Sequence, residues 1–391
     1  MRLGAVPETP LDWLALRLGR VPTALVDTHL AFAFARTLMV AVRLGFFEAL
    51  AEGEAGADEV ARRCATAPGP TEQLLHALVG MGYLRPGRDR RRVALTRGAR
   101  RWLTRASPHE VVDKVLFAFD EWHIVEGYEA YVRDGQTLDL HAALGREEPD
   151  PPAGAPRPAH ATAAAVTASP PPTAAVPEVG KDGRTTAWVR YQRGLWAVAG
   201  VSAAEVGRVT PVPRGARRML DLGGAHGRFA AAILRRHPRL TGEVLDLPPA
   251  VAASTELLAA EALGERLRHR AGDALRDPLG AGDVDLVFAS QFNHHLSGAD
   301  NRLLARRVAA ALRPGGLYVI QDLARPGDAR EARRARLGAL LDLYFGAASA
   351  AGTYAIGEMR AWQRDAGLRP LRTTWLRTLP GLVQQVAVRV E

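Results

Sequence analysis

The stretch Met219-Leu220-Asp221-Leu222-Gly223-Gly224-Ala225-His226-Gly227-Arg228-Phe229 decides how this chain is read. It is a short apolar run, a glycine-rich bend and the opening of a helix expected over 228–237, stopped by Pro238. Glycines let the backbone turn sharply and leave no Cβ between it and a ligand. The unpaired N–H groups of the helix start then face any anionic or polar group bound there. About 20 residues further on, Val244-Leu245 ends in Asp246, placed to accept hydrogen bonds from a ribose diol.

A glycine loop followed by a strand-end acid serves both dinucleotides and S-adenosylmethionine (SAM). The G-x-G-x-x-G fingerprint of dinucleotide binders needs glycine at 222, where Leu222 stands, so the stretch is read as a SAM site. Downstream, segments 243–247, 250–263, 284–290, 300–312 and 316–322 alternate strand and helix, which predicts a parallel sheet with right-handed crossovers. A helix is expected over 358–367. Extended runs at 372–379 and 383–390 flank Pro380-Gly381 and predict a closing antiparallel hairpin, a feature of SAM enzymes more than of NAD enzymes.

Upstream, Leu25, Leu30, Phe34, Leu38 and Val42 recur at helical spacing in a segment, 23–50, that is apolar on nearly all sides. Such a helix is expected between two protein layers, either in the core or at a subunit interface. Short helical patterns at 57–62 and 70–78 precede a basic hairpin at 85–96, a winged-helix arrangement. From 85 to 105 there are nine arginines less the single Asp89, a local charge of +8. A nucleic-acid partner is disfavoured all the same. The second helix offers only Glu72, Gln73 and His76 for base reading, so a solvated wing is the better expectation. Segment 108–144 is helical, with Phe119, Trp122, Tyr128 and Tyr131 suited to lining a flat substrate's pocket or to core packing. Residues 146–182 alternate Pro, Ala and Thr with almost no large apolar side chains, which predicts a disordered insertion or linker. A helix from about 188 leads into the second domain. The expected division is therefore 1–145, 146–182 and 183–391.

The chain has 391 residues, 47% hydrophobic and 24% charged, with a net charge of +9, which fits a two-domain globular protein. The single cysteine, Cys64, excludes an intrachain disulfide and a cysteine-based metal site, and is read as a buried spectator. No apolar run is expected to approach the roughly 20 residues of a membrane span, and no signal-peptide layout is present. A cytoplasmic enzyme without a bound metal is the expectation.

At the carboxyl ends of successive predicted strands stand Gly223, Asp246, Asp273, Ser290, the pair His294 and His295, and Asp322. Asp273 is placed to accept from an adenine amino group. One of the two histidines is expected to face the cleft, where an imidazole with a pKa of about 6.5 can take the proton of a phenol. Asp322 can fix that imidazole's tautomer.

Together these residues resemble the dimeric SAM-dependent O-methyltransferases of phenolic and polyketide-type natural products. Phe46-Phe47-Glu48-Ala49-Leu50 and the winged helix look like the family's dimerisation module. Tyr191-Gln192-Arg193-Gly194-Leu195 looks like its helix before the catalytic domain. Residues 220–227, Leu245-Asp246-Leu247-Pro248, Gly272-Asp273 and Leu312-Arg313-Pro314-Gly315-Gly316 are similar to its cofactor motifs. The resemblance implies an α/β Rossmann-like SAM methyltransferase domain behind an N-terminal all-α/winged-helix dimerisation domain, and a homodimer acting on a small aromatic acceptor. It implies that Gly223, Asp246, Leu247, Asp273, Ala274 and Ser290 lie at SAM, with His294 as general base and Asp322 as its acidic partner. Four departures stand out: Ala225 replaces a loop glycine, Ser290 a lysine, His295-Leu296 an Asp-Trp pair, and no second acid stands near Thr353. Alternatives are C- or N-methylation, or a winged-helix DNA-binding regulator with a SAM-fold sensor.

Overall fold

The computed structural model describes residues 7, 9–138, 140, 144, 187–334, 336–349 and 351–390. The proline-rich segment 146–182, and the domain limits drawn at 145 and 183, lie outside the described residues.

Helix α1 (Pro10–Arg17) starts with a capping box, in which the Thr9 hydroxyl accepts from Asp12 N and the Asp12 carboxylate accepts from Thr9 N. A π turn over Val26–Leu30 leads into α2 (Ala31–Arg43), which ends at Gly45 with φ +78°. By length and composition the run Thr23–Arg43, 21 residues at mean hydropathy 1.5, is long and apolar enough to cross a membrane. This corrects the expectation that no run approaches that length. The run is nevertheless interrupted by Asp27, His29 and Arg36, and the Arg36 guanidinium lies 4.6 Å from the centroid of the Phe119 ring. Leu25, Leu30, Phe32 and Phe34 are exposed on the single chain, so this chain supplies only one of the two layers that the sequence pattern asks for.

The winged helix forms as expected. Strand β1 (Ala55–Gly56), α3 (Ala57–Cys64), α4 (Pro68–Gly80), β2 (Leu84–Pro86) and β3 (Arg92–Leu95) build a three-stranded antiparallel sheet in the order β1-β3-β2. Phe46, Phe47, Leu50, Val60, Leu75 and Leu78 fill its core. Part of the arginine cluster is structural. Arg92 bonds Glu59 at 3.2 Å, and Arg105 forks onto Asp113 at 2.7 and 3.1 Å. Cys64 is half-buried rather than buried, and burial pushes its thiol up to about 11, so it stays protonated and inert.

Helix α5 (Val112–Glu126) crosses α6 (Ala187–Val209), with the Phe117 and Tyr191 rings 5.3 Å apart at the crossing. Then β4 (Arg218–Leu222), α7 (Arg228–Arg236), β5 (Thr241–Asp246), α8 (Pro248–Ala260) and β6 (Leu267–Ala271) follow. Strand β7 (Val284–Ser290), α9 (Gly298–Ala311), β8 (Leu312–Leu323), α10 (Arg336–Ser349) and α11 (Ile356–Asp365) precede the hairpin β9 (Leu368–Trp375) and β10 (Leu382–Arg389). The seven strands run β6-β5-β4-β7-β8-β10-β9, parallel except for β10 against its two neighbours. Strand β8 starts at Leu312 instead of 316 because Leu312 already pairs with Val284, across an irregularity next to Gly315 (φ +77°).

Val287, Phe288 and Ala289 of β7 are fully buried because helices cover both faces, one core holding Phe229 and Ile233 and the other Leu304 and Trp362. Strand order reverses at β4, between β5 and β7. In open α/β sheets ligands bind at the strand ends beside such a switch point.

Candidate active site

The bend after β4 is held by local chemistry. Gly223 has φ +64°, and a Cβ there would lie 2.3 Å from the Phe292 ring, so only glycine fits beneath that ring. Ala225 also takes a positive φ, +42°, which costs an L-residue about 1–2 kcal/mol. It is pinned from both sides: its N–H donates to Asp246 Oδ2 at 2.9 Å, and its carbonyl lies 2.7 Å from His269 Nε2. Small size is thus one reason the loop accepts alanine, and these two bonds are the other.

A cavity of about 750 Å³ opens on this bend, and Gly223, Asp246, Leu247, Asp273, Ala274, Ser290 and His294 all line it. Of the sequence candidates only Asp322 stands back, buried behind His294. Asp273 spends Oδ1 on Leu275 N (2.8 Å), and Ser290 Oγ accepts from Gln321 Nε2 (2.8 Å). The residues fit SAM. The bend residues Gly223 to His226 and the Asp246 carboxylate line one volume, and the buried Asp221 Oδ1 has no hydrogen-bond partner among the described residues.

Asp221, in the centre of the deciding stretch, was not among the sequence candidates, although a carboxylate inside an apolar strand is itself a signal. Burial and the neighbouring Asp246 charge hold its carboxyl well above the usual carboxylate range. Burial raises Asp246 to about 6, against the opposing pull of the Leu247 and Ala225 N–H groups. To accept from both hydroxyls of a ribose diol, Asp246 has to be the carboxylate. The affinity for S-adenosylhomocysteine (SAH) should therefore be flat above about pH 7 and weaken by up to tenfold per unit below about pH 6. Calorimetry across that range checks it, and a flat profile down to about pH 5 contradicts it.

His294 lies in a 3₁₀ turn (Asn293–His295) just past β7. Its Nδ1 lies 2.8 Å from Asp322 Oδ1, and its backbone N–H donates to Asp322 Oδ2 at 3.2 Å. A carboxylate only accepts, so Nδ1 carries the hydrogen and Nε2 keeps its lone pair. The ring is clamped between His295 (4.2 Å) and Phe345 (3.9 Å), both of which line the cavity. Residue spacing left the two histidines open and the resemblance chose His294; neither assigned anything to α10, which supplies Phe345. In place of a second acid near 353, the Thr353 N–H and hydroxyl donate to Asp342 Oδ1 at 2.9 and 2.7 Å. Of the aromatics on 108–144, Trp122 lines the cavity, whereas Tyr128 and Tyr131 pack against the cluster of Phe117 and Tyr191.

Comparison with known proteins bears on the family and the fold. Residues 180–354 match the O-methyltransferase domain, and residues 26–105 match the O-methyltransferase dimerisation domain. The chain is 28% identical over 354 residues to 3-hydroxy-5-methyl-1-naphthoate 3-O-methyltransferase of Streptomyces sahachiroi, spanning 90% of this chain and 91% of that one. It is 27% identical over 301 residues to the N,N-dimethyltransferase OxyT of Streptomyces rimosus, 77% and 78% of the two chains. Among solved structures, human N-acetylserotonin methyltransferase in complex with SAM shares the fold at a TM-score of 0.75 and 18% identity, covering 99% of this chain and all of the other.

Proposed function

We propose, for a chain that belongs to the SAM-dependent O-methyltransferase family and carries that family's dimerisation domain, that the acceptor is an aromatic or polyketide-like phenol and that His294 is the base. One observation carries the reading: the His294–Asp322 pair opens onto the same cavity as the glycine bend and Asp246.

SAM, when bound, supplies an electrophilic methyl on a sulfonium sulfur that leaves as a neutral thioether. His294 Nε2 takes the phenol proton as the new oxygen–carbon bond forms. Asp322 holds the imidazole's orientation and steadies its positive charge until the proton is lost to solvent. Phe345 and His295 keep the ring from turning away. The largely apolar walls around it, Leu296 and Leu341 among them, exclude water from the methyl group. A product heavier than the acceptor by one CH₂, carried on oxygen, tests this reading. The likeness to an N,N-dimethyltransferase makes methylation on nitrogen the second reading, and the same mass analysis would reveal it.

The protein is a homodimer through the 23–50 region, whose exposed Leu25, Leu30, Phe32 and Phe34 then find their second layer on the partner. Light scattering at micromolar concentration should give twice the chain mass; a monomer contradicts it.

A further inference from the structure

We propose that Lys114, Glu121 and Tyr344 form an acceptor-recognition wall at the far end of the cavity. It selects a fused-ring phenol whose distal edge carries a neutral group that both donates and accepts hydrogen bonds, such as a primary carboxamide. The inference rests on the reading of His294 as the base at the near end.

Lys114 and Glu121 are seven residues apart on α5, two helical turns, and so share a face. Lys114 Nζ lies 2.5 Å from Glu121 Oε1, and the Tyr344 hydroxyl, arriving from α10, donates to the same oxygen at 2.8 Å. All three side chains line the cavity, among the apolar surfaces of Ala118, Trp122 and Leu341. The Lys114 and Glu121 side chains retain only 30% and 19% of their exposure. Burial and the Glu121 charge both drive the Tyr344 phenol upward, so it stays neutral and donating. Glu121 Oε2 accepts no hydrogen bond among the described residues, and an ammonium has two further N–H groups beyond the one spent on Oε1. The wall therefore offers one charged donor and one charged acceptor, with no net charge.

That pairing sets the selection. An anionic substituent gains Lys114 but meets the Glu121 charge, and a cation meets the reverse. A bare hydrocarbon edge would strip water from Glu121 Oε2 and return nothing. A carboxamide satisfies both, its oxygen accepting from Lys114 and its N–H donating to Glu121. Tyr344 meets Phe345 at a centroid distance of 5.2 Å, and Phe345 stacks on His294 at 3.9 Å, so two ring contacts join the wall to the base.

The test is calorimetric binding of 2-naphthol, 6-hydroxy-2-naphthamide and 6-hydroxy-2-naphthoate to the full chain loaded with SAH, in the wild type and in Glu121→Gln. The naphthamide should bind the wild type at least about tenfold more tightly than either of the others. In Glu121→Gln, with Lys114 no longer compensated, the naphthoate should overtake it. An identical ranking in both proteins, parity of 2-naphthol with the naphthamide, or no binding of any probe while SAH binds would each overturn the inference. Replacing SAH with SAM separates this from the proposed reaction. O-methylated product without substituent preference overturns the wall alone. Substituent preference without O-methylated product supports the wall and overturns the reaction.

Discussion

His294→Ala should lower kcat by about 10²- to 10⁴-fold while leaving the affinity for SAH unchanged. The phenol loses the group that takes its proton, and with it goes the imidazole that Asp322 holds in place. The next ring, His295, lies 4.2 Å away at a tilt of 54°, and the nearest acid, Asp322, lies behind His294 and is spent on its Nδ1 and on the Leu323 N–H. Nothing in the cofactor's cradle changes, because the bend, Asp246 and Asp273 belong to other strand ends. The measurement is turnover of any phenol that the wild type methylates, beside calorimetry with SAH. Unimpaired turnover would remove His294 from the chemistry.

Asp246→Ala should weaken SAH binding by about 10²- to 10⁴-fold, the loss of two hydrogen bonds from a ribose diol to a carboxylate at about 1.5–3 kcal/mol each. A second effect acts in the same direction. Asp246 Oδ2 is the acceptor for Ala225 N–H, so its removal frees a residue held at φ +42° and lets the bend relax away from the binding shape. A melting temperature close to wild type would show that the fold persists. A change in affinity of less than about threefold would place the diol elsewhere.

How much of this the sequence reveals follows from what local spacing can carry. The glycine bend, Asp246 and the strand-end positions were legible because short apolar runs alternate with helices. That alternation puts every strand's carboxyl end on one edge of the sheet. His294 follows β7 and Asp322 stands at the end of the neighbouring parallel strand β8, so their proximity follows from strand order; the resemblance chose His294 over His295, and the turn at 293–295 brings His294 onto Asp322. Helix α10 was not legible. Its residues Arg336–Ser349 are apolar enough to be core, and only the packed chain shows Phe345 reaching His294 and Tyr344 reaching Glu121. Ala225 was read as tolerated for its size, but the bonds to Asp246 and His269 that hold it come from residues 21 and 44 positions away. The apolar segment 23–50 announced two layers, and the resemblance supplied the expectation that the second belongs to another copy.

The central claim is that the bend after β4 and Asp246 hold SAM beside His294. Calorimetric titration of the wild-type chain with SAH at neutral pH tests it most directly. One molecule bound per chain with micromolar affinity, and no heat from NAD under the same conditions, is the expected result. Absence of binding by both SAH and SAM, or tighter binding of NAD, would contradict it.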